Sequence, residues 1–197
     1  MPSKLRITKT LLDSWLWSYK TEDGYEKFLK TLNREKIQPT TQMLMGTQFE
    51  NILNNVLNGE YISPDHEWYP VISEMSEELQ GSQQQVVLFK DITVDGVDFL
   101  LHGVLDYLRA SVIFDCKFTK NYYLNKYFST TVQHSMYMEL VPEARLFEYI
   151  ISDGNYVYRE KFPRDIVPPI EPTIRDFMRY LDMHNLVNIY TEKWRVN

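Results

Sequence analysis

The chain has 197 residues, 44% hydrophobic and 14% aromatic, with 27 acidic against 21 basic side chains and a net charge of −6. That apolar content can offset the entropy of ordering, which excludes intrinsic disorder, and no apolar run approaches the ~20 residues of a membrane helix. A single cysteine, Cys116, excludes an internal disulfide framework and a four-cysteine zinc or iron–sulfur site supplied by one chain, and the acidic balance argues against sequence-blind adhesion to nucleic acid through excess Lys and Arg.

The N-terminal part reads as helical, with Leu11, Leu12, Trp15 and Leu16 and then Tyr25, Phe28, Leu29 and Leu32 at helical spacing. A longer helix starts at Pro39-Thr40-Thr41, carries the apolar stripe Leu44, Phe49, Ile52, Leu53, Val56 and Leu57, and stops at Gly59. Ser63-Pro64-Asp65 opens an acidic amphipathic helix ending near Gly81. The period then switches to that of strands. Gln85 to Thr93 turns at Asp95-Gly96 into Val97 to Tyr107, and Val112 to Phe118 follows. A helical pattern from about Tyr122 to Val141 is broken by Pro142, and a hairpin of Arg145 to Ser152 and Tyr156 to Phe162 surrounds Asp153-Gly154-Asn155. A loop with Pro163, Pro168, Pro169 and Pro172 precedes a last helix over about Thr173 to Asn188. The order predicts an α/β or α+β fold, a central mixed sheet flanked by helices, in one domain over residues 1–197. With no signal-peptide pattern, a soluble cytoplasmic protein is expected.

The chemistry concentrates between Gly103 and Tyr137. In a strand, alternate side chains share a face, so Asp115 and Lys117 point one way while Val112, Phe114 and Cys116 point to the apolar side. Asp106 joins the face of Asp115 if the turn between the strands holds an even number of residues. Asp-x-Lys triplets are common by chance, and a solvated strand pair explains one equally well. Here, however, the triplet lies within Val-Ile-Phe-Asp-Cys-Lys-Phe, apolar enough to be a central strand, where a carboxylate needs a counter-charge. A divalent metal or Lys117 itself fills that need. Gly103 permits either close backbone approach or a simple bulge.

On the following helical pattern Lys126, Thr130, Gln133 and Tyr137 fall on one face, opposite Leu124, Phe128, Val132, Met136 and Leu140. For Gln133 and Tyr137 alone, a solvated surface is the plain expectation. Lys120, Tyr122, Tyr123, Lys126 and Tyr127 mix cations with aromatics in a way that suits either stacking on single-stranded bases or ordinary tyrosine packing. Glu50 lies on a helix face with Met43, Gly46, Thr47 and Asn54, where an isolated Glu faces solvent. His66, His102, His134 and His184 lack zinc spacing and are expected to be structural. His102 shares strand parity with Asp106, and so reaches the site unless the strand is bulged.

Taken in order, Gly46-Thr-Gln-Phe-Glu50, Gly103-Val-Leu-Asp106, Asp115-Cys-Lys117 and Gln133-His-Ser-Met-Tyr137 resemble the motifs of the PD-(D/E)xK nuclease superfamily, in its RecB-like and phage-type exonuclease branch. The resemblance implies a restriction-endonuclease-like core and a Mg²⁺- or Mn²⁺-dependent DNA exonuclease of recombination, repair or phage-type replication. Glu50, Asp106, Asp115 and the Cys116 backbone carbonyl would hold one or two ions, and Lys117 would orient or deprotonate the attacking water. Gln133 and Tyr137 would contact DNA or support the lysine, and Lys120 and Lys126 would contact DNA. The single cysteine sets the chain apart from relatives with an iron–sulfur cluster, and Leu105 stands where the motif usually has proline. The resemblance leaves room for a recombination partner protein and for a homo-oligomer. The alternative is a module that keeps the fold for nucleic-acid or protein binding and has lost the chemistry.

Overall fold

The computed structural model describes residues 4–196. Strand β1 (Leu5–Thr8) runs directly into α1 (Lys9–Trp17), followed by α2 (Gly24–Leu32), α3 (Thr41–Leu57) and α4 (Tyr69–Leu79). Then come β2 (Gln83–Val94), β3 (Val97–Arg109), β4 (Val112–Phe118), α5 (Gln133–Leu140), β5 (Leu146–Ser152) and β6 (Val157–Pro163). A 3-10 turn at Arg164–Ile166 leads to α6 (Glu171–Met183) and α7 (Val187–Lys193). Among the described residues no helix is long and apolar enough to cross a membrane.

The strands form one mixed six-stranded sheet flanked by helices, the architecture expected from the sequence. One edge of β3 pairs antiparallel with β2 along most of its length, through a tight turn in which Asp95 and Gly96 both have positive φ (50° and 80°), as a type I′ hairpin requires. The other edge is divided. It pairs parallel with β1 at Phe99–His102 and antiparallel with β4 at Tyr107–Arg109. The residues Gly103-Val-Leu-Asp106 lie between those two ladders, so the sheet forks there. Beyond the fork β4 pairs parallel with β5, with α5 in the crossover, and β5 pairs antiparallel with β6.

Two apolar clusters hold the layers together. On one face α3 and α4 press Phe49, Leu53, Trp68 and Met75 against Tyr107, Phe114, Cys116 and Ile150. On the other, α1, α2, α5 and α6 bring Leu11, Phe28, Met136 and Phe177 onto Phe99, Leu101, Leu105, Ile113 and Phe147. Strand alternation divides β4 between them, Ile113 to the second and Phe114 and Cys116 to the first.

Several sequence expectations are corrected. The helix expected from Tyr122 is confined to Gln133–Leu140, and Leu124 and Phe128, read as core, are 72% and 42% exposed. Asn125 takes a left-handed conformation (φ 61°), which ends any helical run through it. The start of α5 is fixed instead from α1: Asp13 accepts hydrogen bonds from the Thr131 hydroxyl (2.7 Å) and the Val132 amide (2.9 Å). The acidic helix begins at Tyr69 rather than at Ser63, because residues 63–68 form turns and Pro70 occupies its first turn. Leu44 is exposed rather than part of the α3 stripe. The last helix is two, divided where Asn185 has φ 58°. The strand β1 carries too few residues to show a period, and only its pairing with β3 reveals it.

Candidate active site

The fork leaves backbone groups without a neighbouring strand, and side chains satisfy two of them. The Tyr137 hydroxyl donates to the Val104 carbonyl (2.8 Å), and the Asp106 carboxylate accepts the Cys116 amide (3.1 Å). The turn from β3 to β4 contains two residues, Ala110 and Ser111, so continuing the register Arg109↔Val112, Leu108↔Ile113 and Tyr107↔Phe114 sets Asp106 against Asp115. The even-numbered turn brings the two carboxylates together, as strand parity requires.

Asp115 is fully buried. Its Oδ2 lies 2.5 Å from the Lys117 ammonium, and its Oδ1 accepts a hydrogen bond from the Gln133 side-chain amide. Burial and then the adjacent charge of Asp115 push the Asp106 carboxyl well above the usual carboxylate range; Lys117 opposes this and Glu50 adds to it. Burial alone would depress the Lys117 ammonium, but the Asp115 and Asp106 carboxylates overcome it and hold the group above its ordinary value. Two carboxylates at the fork and the Lys117 ammonium, on a side chain 25% exposed, make up the charged centre.

Glu50 approaches from α3. Together with Asn54 and Asn58 it forms a polar stripe at four-residue spacing, one face of a helix. Each member is tied to the β2–β3 ribbon: Glu50 accepts from the Gln85 amide (3.1 Å), Asn54 from the Tyr107 hydroxyl (2.6 Å) and Asn58 from the Gln84 amide (3.3 Å). Glu50 is therefore half-buried and held rather than free in solvent. Among the described residues, no three His, Cys, Asp or Glu side chains converge closely enough to hold a metal ion by themselves.

The remaining sequence candidates separate into groups. Gln133 and Tyr137 are 3% and 6% exposed, which overturns their expected solvated position. The polar face of that helix is turned toward the fork. Cys116 turns its thiol into the α3/α4 cluster, and burial raises its pKa well above the ordinary value. Lys126 borders a surface cleft of about 470 Å³ together with Glu50 and Lys117, and its ammonium donates to the Thr119 hydroxyl (3.2 Å) and the Asn121 carbonyl (3.0 Å). Lys120 is exposed nearby. His102 stacks on Phe89 (4.6 Å), His134 lies buried against Phe128 and Phe162, His184 rests on Tyr180 (4.1 Å), and His66 accepts from the Trp68 amide (3.1 Å). Gly103 explains itself by close approach: a Cβ there would fall 2.5 Å from Leu140 Cδ1 and 3.0 Å from Tyr137 Cε1.

Two residues of this neighbourhood carry no signal in the sequence. Asp13 sits on a helix 118 positions before Thr131, and no local pattern joins them. Gln85 reads as an ordinary strand residue, yet has φ 50°.

No protein-family model matches the chain, and no curated protein matches it. Among solved structures, the fold is similar to the crystal structure of SSO0001, at 16% identity and TM-score 0.54, covering 93% of this chain and 78% of that one. It is also similar to the crystal structure of LHK-Exo in complex with dAMP, at 13% identity and TM-score 0.53, covering 90% of this chain and 88% of that one. At such identities the likeness is one of fold.

Proposed function

We propose that the protein is a Mg²⁺- or Mn²⁺-dependent DNA exonuclease. The observation that carries this is the juxtaposition of Asp106 and Asp115 at the sheet fork, with the Lys117 ammonium on Asp115 and Glu50 on the facing helix. Similarity of fold to LHK-Exo, a nuclease-type neighbour solved with dAMP, supports a substrate built of deoxynucleotides.

Asp106 and Asp115 would supply hard oxygen donors whose mutual repulsion a divalent cation would relieve, and Glu50 and the Cys116 carbonyl would complete its ligands. When bound, such an ion neutralises phosphate charge and lowers the pKa of water. The chain's own groups do the rest. Lys117, kept protonated by the two carboxylates, is suited to orienting the attacking water by donation more than to taking its proton. Gln133 fixes the Asp115 carboxylate, and Tyr137 fixes the β3 backbone two residues before Asp106, so both support the site from below. Lys126, which lines the cleft, and the exposed Lys120 would meet phosphates.

A second reading, a binding module without chemistry, draws on two observations. Both Asp115 oxygens are engaged by Gln133 and Lys117, and no three ligand side chains converge among the described residues. Degradation of end-labelled single- and double-stranded DNA with Mg²⁺, Mn²⁺ or EDTA separates the two. Metal-dependent loss of label that disappears in Asp115→Asn establishes the nuclease and its polarity. Binding of DNA without degradation under every condition favours the module.

A further inference from the structure

The strand β2 contains one residue whose backbone departs from the sheet. Gln85 has φ 50°, a left-handed conformation that side chains other than Gly, Asn and Asp seldom adopt and that is strained in a strand. It falls between the paired positions Gln84↔Tyr107 and Val86↔Leu105, and so stands across from Asp106.

The pleat reverses at this point on both strands. Val86 and Leu105 pack with the cluster under α5, whereas Tyr107 packs with the α3/α4 cluster and Gln84 bonds to Asn58 of α3. Strict alternation would keep Val86 and Gln84 on one face. Because of the reversal, Gln84 and Gln85, adjacent in sequence, both reach α3, where Gln85 donates its amide to Glu50 (3.1 Å).

A strained residue persists where its surroundings over-determine it, and here the surroundings are the two carboxylates on either side, Asp106 on the neighbouring strand and Glu50 on the helix. We infer that Gln85 is a positioning residue: its left-handed backbone and its amide hold Glu50 at the cleft that Cys116 and Lys117 also line, so that a helix-surface glutamate faces the carboxylate pair and a bound cation could draw it in. The inference rests on the nuclease function proposed above. It also accounts for why Glu50, which has the sequence environment of a solvent-facing residue, is half-buried.

The test uses Gln85→Gly and Glu50→Gln, singly and combined. Glycine accepts the positive φ without strain and removes the amide, so Gln85→Gly should fold with unchanged or higher thermal stability. Its Mn²⁺ affinity, measured by calorimetry, should fall about 10-fold, as for the loss of a residue that orients a ligand. The double variant should lose no more than Glu50→Gln alone, because the two act through one contact. Unchanged affinity in Gln85→Gly, or additive losses, overturns the inference. A third measurement needs no metal and no activity: the side-chain amide signals of Gln85 in the ¹⁵N–¹H spectrum should move on Glu50→Gln. Signals that stay in place overturn the contact whatever the enzyme does. A contact present in a wild-type protein that neither binds Mn²⁺ nor cuts DNA overturns the proposed function, and with it the role of Gln85 in holding a metal ligand.

Discussion

Gln133 on α5 and Asp115 on β4 are hydrogen-bonded, amide to carboxylate, with both side chains buried. This bond joins the crossover helix to the charged centre and makes the helix part of the site's construction. Truncating Gln133 leaves a buried carboxylate with one partner fewer, which costs about 1–3 kcal/mol. Gln133→Ala should therefore lower the urea midpoint and reduce turnover together. A variant with full turnover would show that Asp115 needs no such support.

Lys117→Ala removes the ammonium 2.5 Å from Asp115 Oδ2. A group that orients or moves a proton of the attacking water contributes on the order of 10²–10⁴-fold. On the proposed mechanism cleavage should fall by that factor while Mn²⁺ binding survives, since the ligands proposed there are carboxylates and the Cys116 carbonyl. Cleavage assays beside calorimetry decide it: retained turnover removes Lys117 from the mechanism.

Asp106→Asn relieves the repulsion between two carboxylates at the fork and keeps an oxygen for the Cys116 amide. In EDTA at neutral pH the variant should melt higher than wild type, and Mn²⁺ should raise the melting temperature of wild type alone. An inactive variant that also melts lower would mean that Asp106 contributes structure beyond its hydrogen bond. Loss of function with a gain in stability is the signature of a site held against its own electrostatics.

His134 is buried, and burial lowers its pKa from the ordinary 6.5 to about 4. The folded value lies below the unfolded one, so the neutral ring favours the native state. Its contribution is complete above pH 6.5 and is lost as pH falls from there toward 4, amounting to about 3 kcal/mol. His134→Phe keeps the packing against Phe128 and Phe162 and removes the titration. Its denaturation midpoint should vary less than that of wild type between pH 6.5 and 4; an identical pH profile would assign the acid sensitivity elsewhere.

Gly103→Ala places a methyl group against Leu140 and the Tyr137 ring. Leu140 can rotate, but Tyr137 is tied to the Val104 carbonyl, so the ring resists. Overpacking of this kind costs about 1–3 kcal/mol. Denaturation should show that loss, and an unchanged midpoint would mean that α5 shifts freely away from β3.

The strands and the carboxylate pair were legible because they follow from period and parity. Alternation located β3 and β4, Asp95-Gly96 located the hairpin, and the even turn decided that Asp106 meets Asp115. What escaped was set by tertiary contact. The apolar spacing of Leu124, Phe128 and Val132 imitates a helix, whereas Asn125 and the Asp13 cap terminate it. Gln133 and Tyr137 look solvated because polar residues normally are, and only a polar site beneath the helix reverses that. The grip of Gln85 on Glu50 depends on a backbone conformation that no side-chain pattern encodes.

The divided edge of β3 has a mechanical consequence. Asp106 and Asp115 are held at their spacing by three ladder pairs on one side and, across the gap, by the single Asp106–Cys116 hydrogen bond. The strands that carry them are each fixed on their far sides, β3 by its pairing with β2 and β4 by its pairing with β5. The spacing of the two carboxylates is therefore set where β3 and β4 part, at the short closing ladder, and not by the rest of the sheet.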